Sequence, residues 1–251
     1  MQKFTLFFIL SFLILIAYSS FFYRVPGPDI QKFKTKKLIR DAKRSPSKPI
    51  LFLDEPTMKA EFLHLEKNGA ASVSSYDNYD KTIFILSGTG TFMLNQKSYT
   101  ISSNEIFYIK AKDKIAVKEI QSELDAVIVT SLAQSQEDTT RSSLYILSEI
   151  EKKRLSGENA WNPFLRTRSL TFGLYMLPKN VGGDSTLTHK IDELNIITRG
   201  SGKFWVDEHS MNVEPGDIVF VRNRHGHYFN SLKMDLDILI FWEKKSLQPT
   251  P

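Results

Sequence analysis

Residues 81–111 read KTIFILSGTGTFMLNQKSYTISSNEIFYIKA, and residues 193–223 read ELNIITRGSGKFWVDEHSMNVEPGDIVFVRN. The two stretches align without a gap when the chain is shifted by 112 positions. The sequences GTG and GSG then coincide, and both are of the kind that closes a hairpin. The sequence therefore predicts two copies of one β module, in which Gly88 aligns with Gly200 and Gly90 with Gly202.

Both copies consist of short runs rich in Ile, Val, Phe and Tyr, separated by Gly, Asn, Asp or Pro. Closely spaced runs of this kind are typical of an all-β sandwich or barrel. The polar stretch AQSQEDTTRSS between the copies indicates a linker, and helical periodicity is confined to residues 144–155. We assign residues 49–133 and 161–247 to two β barrels and residues 134–160 to a linker with a short helix.

The composition excludes several classes of protein. Of the 251 residues, 41% are hydrophobic and none is cysteine, so disulfide frameworks, thiolate nucleophiles and cysteine-ligated metal sites are excluded. Residues 1–48 carry ten Lys and Arg against two Asp, whereas the rest of the chain has 23 basic and 26 acidic residues. Because the folded part is mildly acidic, we expect no nucleic-acid partner.

An apolar segment begins the chain. Residues 4–23, FTLFFILSFLILIAYSSFFY, carry no charge and are long enough to cross a bilayer. We therefore interpret residues 1–23 as a transmembrane anchor or a cleaved signal segment. Six Lys or Arg residues between Arg24 and Arg40 favour a single-pass anchor with a cytoplasmic body. A secreted or periplasmic protein, cleaved after Ser19, is the alternative.

The segment of residues 24–48 mixes basic residues with prolines and has no apolar period. This pattern predicts a basic tether, either in contact with anionic lipid headgroups or simply solvated. The membrane is thus an expected partner of the N-terminal region.

Two motifs in the second copy carry a resemblance to a known family. THKIDELNIITRGSG begins at Thr188, and EPGDIVFVRNRHGHYFN begins at Glu214. They resemble the two motifs of the cupins, which are small double-stranded β-helix barrels of the jelly-roll type. In the first motif, Glu193 and Gly200 have the expected spacing and His189 takes the position of the second His, but the first His is replaced by Leu187.

In the second motif, His227 follows Asp217 by the expected ten residues. The usual Pro-x-Gly turn between them is replaced by residues 222–224, Arg-Asn-Arg. The resemblance implies an all-β fold of two tandem cupin-type double-stranded β-helix (jelly-roll) barrels, preceded by the N-terminal transmembrane helix or signal segment. It also implies one divalent metal ion in the second barrel.

The residues themselves favour the same metal site. His189 and Glu193 are four positions apart, so in an extended strand both side chains project from one face. Together with His227 they would provide two nitrogens and one carboxylate, a set that suits Fe, Mn, Ni or Zn and leaves coordination positions open. The alternative is a buried polar set that is satisfied by hydrogen bonds alone.

The first copy has different residues at these positions. Asp77, Lys81 and Ile115 align with the three candidate ligands. Because Lys81 and Ile115 cannot replace a carboxylate and an imidazole, we expect the first barrel to be free of metal and to have a structural role.

Four further residues are candidates for substrate binding. Arg222 and Arg224 could bind a carboxylate or phosphate through paired hydrogen bonds, or could simply be solvated. Asn195 shares its strand face with Glu193, and Trp205 could form an aromatic wall. His225 is assigned to the surface or to a position that supports His227.

The leading functional hypothesis is a metal-dependent cupin enzyme of dioxygenase or isomerase type, acting on a small oxygenated molecule, either anionic or neutral. The alternative is a non-catalytic module that binds or senses a small ligand at a membrane. The sequence identifies no general acid or base besides the metal ligands, so no catalytic residue is assigned. A homo-oligomer is compatible with either hypothesis.

Overall fold

The computed structural model describes residues 30–69, 78–132, 140–152, 160–167, 169–180, 187–188, 191–231 and 234–243. The predicted all-β class is confirmed, because these residues form mainly strands with two short helices. The first set of elements begins with β1 (Ile30–Lys34) and α1 (Thr35–Ala42). It continues with β2 (Ile50–Asp54), β3 (Met58–Leu65), β4 (Lys81–Leu94), β5 (Lys97–Ser102), β6 (Glu105–Ile109) and β7 (Ile115–Ser131).

The second set of elements repeats this order. It begins with β8 (Ser143–Ile146) and α2 (Leu147–Glu151), and it continues with β9 (Ala160–Arg166), β10 (Leu170–Leu177), β11 (Leu187–Thr188), β12 (Glu193–Arg199), β13 (Gly202–Val206), β14 (His209–Val213), β15 (Asp217–Val221), β16 (Gly226–Ser231) and β17 (Leu236–Glu243). We call β2–β7 the first half and β9–β17 the second half.

The strands form three antiparallel sheets. In the first half, a seven-stranded sheet has the order β2-β3-β7-β4-β6-β8, with β5 paired to β4. In the second half, one sheet has the order β1-β15-β12-β17-β10-β9 and the other has the order β11-β16-β13-β14.

The shift of 112 positions seen in the sequence also relates the strand pairings. Lys81 lies opposite Ile109 and Thr130, and Glu193 lies opposite Val221 and Trp242.

The aligned glycines Gly88 and Gly200 are required by backbone geometry. Both have positive φ angles, 87° and 77°. A Cβ atom would lie 2.0 Å from the carbonyl oxygen of Glu123 at Gly88, and 1.9 Å from that of Asp235 at Gly200. Only glycine avoids both the left-handed strain and this overlap with the backbone.

The strands that precede the two halves are exchanged between them. β1 precedes the first half but pairs with β15 of the second half, over Ile30–Lys34. β8 precedes the second half but pairs with β6 of the first half. The strand that precedes each half is therefore part of a sheet of the other half, and the halves are connected by strand pairing as well as by a shared surface.

The exchange corrects the prediction of a basic tether over residues 24–48, because from Ile30 onward this segment is a strand and a helix. Lys32 and Lys34 do not face lipid headgroups. Both Nζ atoms lie 2.8 Å from the buried carboxylate of Asp217, and Lys34 also binds Glu214. The strand is stabilised by partners about 180 residues away, which the local sequence pattern could not reveal.

Apolar side chains form three clusters. One lies within the first half, and a second lies between the two sheets of the second half. The third contains residues of both halves, such as Phe62 and Val127 from the first and Phe172 and Phe220 from the second. Burial of this shared cluster stabilises the association of the halves.

Two buried aspartates connect the halves in a reciprocal way. The Thr57 hydroxyl donates to Asp192 of the second half, and the Ser169 hydroxyl donates to Asp80 of the first. Each aspartate also accepts a backbone N–H from its own half, at 2.8 Å from Asn223 and at 2.9 Å from Ala111. All three positions are related by the 112-residue shift, so the contact has an approximate internal two-fold symmetry.

We expect Asp192→Ala to lower the free energy of unfolding by about 3 kcal/mol, because it removes a charged acceptor from three buried or half-buried donors. Urea denaturation followed by circular dichroism measures this change. Glu119→Ala, an exposed position on β7, is the control and should change stability by less than about 0.5 kcal/mol. Equal stability of the two variants would contradict the assigned role of Asp192.

The predicted anchor, residues 1–23, lies outside the described residues. Among the residues that are described, no helix has both the length and the apolar character to cross a bilayer.

Candidate metal centre

Strand alternation directs Glu193 and Asn195 into the interior of the second half. Both residues lie on β12 with Ile197, which belongs to the apolar cluster between the two sheets. Glu193 is 2% exposed and Asn195 is fully buried. The shared parity predicted from the sequence therefore corresponds to a shared position inside the molecule.

His227 reaches the same interior from the opposite sheet. It lies on β16, beside the buried ring of Phe204 at a centroid distance of 5.7 Å. Its Nε2 atom is 3.2 Å from Oε1 of Glu193, and its side chain is 6% exposed. Two of the three candidate ligands, which are 34 positions apart in the sequence, thus meet across the space between two sheets.

The third candidate, His189, lies outside the described residues. Within the described part of the chain, no group of three His, Asp or Glu side chains is arranged to hold a metal ion. The described geometry therefore supports a pair of ligands, and the predicted trio stays a prediction.

The orientation of His227 is set by its other ring nitrogen. Nδ1 lies 3.1 Å from the carbonyl oxygen of His225. Because a carbonyl only accepts hydrogen bonds, Nδ1 must carry the proton, and in the neutral ring Nε2 then presents its lone pair towards Glu193. This is the tautomer that a metal ion at Nε2 requires.

Burial alone would lower the pKa of His227, since it disfavours the charged ring. The hydrogen bond and negative charge of Glu193 outweigh that effect, and the pKa is held above its ordinary value. Without a metal ion, a proton on Nε2 that is donated to Oε1 of Glu193 gives an imidazolium–carboxylate pair whose charges compensate each other.

Trp242 completes the surroundings of Glu193. Its indole Nε1–H donates to Oε2 of Glu193, while Oε1 faces His227. The Trp242 ring packs on Trp161 with a centroid distance of 4.7 Å. No sequence motif indicates either tryptophan, because their proximity to Glu193 depends on the register between strands.

Asn195 has an unused acceptor. Its Nδ2 atom is 3.5 Å from the carbonyl oxygen of Val219, a long hydrogen bond. Its Oδ1 atom is buried and accepts no hydrogen bond from the protein as described. A buried amide oxygen without a donor is costly, so this position suits a bound molecule or water that carries an N–H or O–H group.

The two arginines predicted to bind substrate lie elsewhere. Arg222 forms an ion pair with Glu55 of the first half at 2.8 Å, and Gln31 binds the other oxygen of that carboxylate. The charge of Arg222 is therefore neutralised by an ion pair between the two halves, and the position of Arg222 does not support a role in substrate binding. Arg224 is exposed, in a left-handed turn with a φ of 71°.

The Trp205 side chain lies on the face of β13 that points away from the interior of the second half. Its neighbours Phe204 and Val206 belong to the interior cluster, whereas Trp205 stacks on Tyr228 with a centroid distance of 6.0 Å. The prediction that Trp205 lines the binding site is therefore not supported by its position. In the run Phe-Trp-Val all three residues are apolar, so the sequence could not decide which of them point inward.

His225 supports His227 through its carbonyl group, and its own ring binds a different residue. Its Nδ1 atom is 2.6 Å from Asp207, whose pKa is lowered by this hydrogen bond. The Asp207 carboxylate also accepts the Gly226 N–H at 3.0 Å. These bonds hold the turn that leads into β16 and thereby the start of the strand that carries His227.

The corresponding position in the first half has no such pair. Lys81 is buried at the position of Glu193, and Ile115 occupies that of His227. The interior cluster of the first half is formed by aliphatic and aromatic side chains, among them Ile83, Phe92 and Phe107.

Comparison with known proteins gives two kinds of likeness. No family profile matches the chain. A 94-residue stretch, 38% of the chain, is 31% identical to an uncharacterized protein of Streptomyces coelicolor, SCO3923, and covers 89% of it. The two proteins therefore belong to one family.

Solved structures match most of the chain at low identity. A cupin 2 conserved barrel domain protein from Leptotrichia buccalis has a TM-score of 0.68 and 16% identity, over 85% of this chain and 96% of that one. Salicylate 1,2-dioxygenase from Pseudaminobacter salicylatoxidans gives 0.71 and 10%, over 88% and 86%, and a further structure of that enzyme contains gentisate. Ylba from E. coli gives 0.64 and 13%, over 90% of each chain.

These likenesses concern the fold, because all the identities to solved structures are below 25%. The arrangement of the strands is that of the cupin barrel proteins. The chain therefore has the fold of the cupin barrel proteins.

Proposed function

We propose that the second half binds one divalent metal ion and is the active part of a metal-dependent enzyme of dioxygenase or isomerase type. Glu193 and His227 would hold the ion, with His189 as third ligand. The observation that carries the proposal is the 3.2 Å approach of Glu193 Oε1 to His227 Nε2 inside the fold, with the His227 tautomer set by a backbone carbonyl. Carboxylate and imidazole ligands suit Fe, Mn, Ni or Zn.

When bound, the metal would act as a Lewis acid or as a centre for dioxygen. The protein would supply an enclosed, largely apolar surrounding and a few polar contacts. The Asn195 Oδ1 atom accepts no hydrogen bond in the described part of the chain. It would accept one from a hydroxyl or amino group of the substrate. Its position on the same strand face as Glu193 would place that contact beside the metal.

A small oxygenated molecule is the proposed substrate class. Salicylate 1,2-dioxygenase, a structural neighbour, acts on a compound of this kind, which makes oxidation by dioxygen the first reaction to test. Because Glu55 neutralises Arg222, this arginine does not favour an anionic substrate over a neutral one.

Two proposals concern the organisation of the whole chain. We propose that the two halves are tandem cupin barrels, of which the first is free of metal and supports the second. We also propose that residues 1–23 anchor the protein in a membrane with its body on the cytoplasmic side. Protease access in intact cells tests the topology, and an N-terminus that begins after Ser19 would replace the anchor with a cleaved signal.

A second candidate function is a non-catalytic module that binds a small ligand. A specific observation favours it: both oxygens of Glu193 already have partners, His227 and Trp242, so the set is satisfied without an ion. In that case Asn195 would still contact the ligand, but no reaction would follow.

Metal analysis of the purified full chain separates these candidates. We expect about one equivalent of Fe, Mn, Ni or Zn per chain, and oxygen uptake when small phenolic acids are added to the iron-loaded protein. Metal without turnover of any tested compound would favour the binding module. Absence of all four metals, also after incubation with each of them, would refute the metal-dependent function.

A further inference from the structure

We infer that Trp242 is a positioning residue for Glu193, in that its indole N–H orients the carboxylate for metal binding. This inference rests on the proposed function. It concerns a residue that neither the family motifs nor the spacing of charged residues indicates.

The contact follows from the register of the sheet. Trp242 lies on β17 directly opposite Glu193 on β12. Directly opposite residues in antiparallel strands have side chains on one face, with Cβ atoms about 5 Å apart. The backbone pairing therefore brings the indole to the carboxylate, and no flexible loop is involved.

The two oxygens of Glu193 have separate partners. Oε2 accepts the Trp242 Nε1–H, and Oε1 lies 3.2 Å from Nε2 of His227. With Oε2 held, rotation of the carboxylate is restricted and Oε1 stays directed towards Nε2 of His227. Such hydrogen bonds to metal-binding carboxylates typically influence affinity by about 10- to 100-fold.

The position of the indole is itself set by packing. Trp161 contacts Trp242 at a centroid distance of 4.7 Å. The Trp161 ring lies over Gly173, where a Cβ atom would be only 2.5 Å from Cη2 of that ring. The absence of a side chain at Gly173 thus leaves room for Trp161, which in turn supports Trp242.

The first half provides an internal comparison. The residues at the positions of Glu193 and Trp242 are Lys81 and Thr130, which also lie directly opposite each other. Neither a carboxylate nor an indole is present in that pair, so the contact between Trp242 and Glu193 has no counterpart there.

Trp242→Phe tests the inference, because it keeps an aromatic ring against Trp161 and removes the N–H donor together with part of the indole. The matched control is Trp205→Phe, which removes the indole on the outer face of β13. Zinc affinity of the full chain is measured by calorimetry for the wild type and both variants. We expect a loss of about 10- to 100-fold for Trp242→Phe and less than about three-fold for Trp205→Phe.

A spectroscopic measurement distinguishes positioning from general stability. The chain has three tryptophans, so a 1H–15N spectrum should contain three indole signals. The signal that is lost in Trp242→Phe should shift when zinc is added to the wild type, and the signal lost in Trp205→Phe should not. This readout uses the wild-type chain and holds even if a variant is destabilised.

The outcomes are distinguishable. If the wild type binds zinc, but Trp242→Phe binds it equally well or the Trp242 indole signal does not respond, the inference is wrong and the proposed function stands. If the wild type binds none of zinc, iron, manganese or nickel, the proposed function fails and the inference fails with it.

Discussion

Replacing Glu193 with glutamine is expected to lower the affinity for a divalent metal ion on the order of 100-fold or more, because loss of a ligand should exceed the effect of losing a residue that only supports one. Glutamine has nearly the same volume and still has an oxygen that can accept the Trp242 N–H. The change therefore removes the negative charge beside His227 with little effect on packing. Metal content after dialysis against a defined metal buffer measures the loss.

Glu55→Gln is the matched control for this variant. Glu55 is also 2% exposed, but it binds Arg222 and Gln31 between the halves and has no described contact with the candidate metal centre. We expect Glu55→Gln to reduce stability and to leave metal content unchanged. If Glu193→Gln retained the metal of the wild type, the proposed centre would lie elsewhere in the molecule.

Deletion of residues 1–34 is expected to lower the free energy of unfolding by at least about 3 kcal/mol relative to deletion of residues 1–29. The longer deletion removes β1 from the edge of β15 and exposes the backbone groups of five paired residues. It also removes Lys32 and Lys34 from Asp217, whose carboxylate is almost fully buried. An uncompensated buried charge typically costs about 3–5 kcal/mol, and the lower value applies because Lys34 is half exposed.

Chemical denaturation of the two truncated chains measures the difference. The shorter deletion keeps β1 and is the control for loss of the N-terminal region. The prediction fails if both chains unfold at the same denaturant concentration, since β1 would then contribute nothing to stability.

Residues whose roles depend on alternation could be predicted well. Glu193 and Asn195 were expected on one strand face because they are two positions apart, and the structure places both in the interior. Residues in uniformly apolar runs could not be assigned in this way. Trp205 was expected to line the site, but it is half-buried on the other face of β13, and its neighbours on both sides are equally apolar.

Long-range partners were the main source of error. Arg222 was expected to face a substrate, but its partner Glu55 is 167 positions away in the other half. The basic residues Lys32 and Lys34 were expected in a tether, but they bind Asp217. In each case the charge pattern identified an interacting residue, and only the packing of the halves identified its partner.

The amino-acid sequence by itself determined the β class, the repeat of 112 positions and the turns at Gly88 and Gly200, since these depend on local backbone geometry and on residue periodicity. It also determined that the carboxylate of Glu193 and the imidazole of His227 in the second copy are replaced by Lys81 and Ile115 at the aligned positions of the first. The tertiary structure alone decided that β1 and β8 are exchanged and that Trp242 meets Glu193. These contacts join strands that are far apart in the chain, and their register depends on the free energy of the whole packed assembly, not on any local stretch.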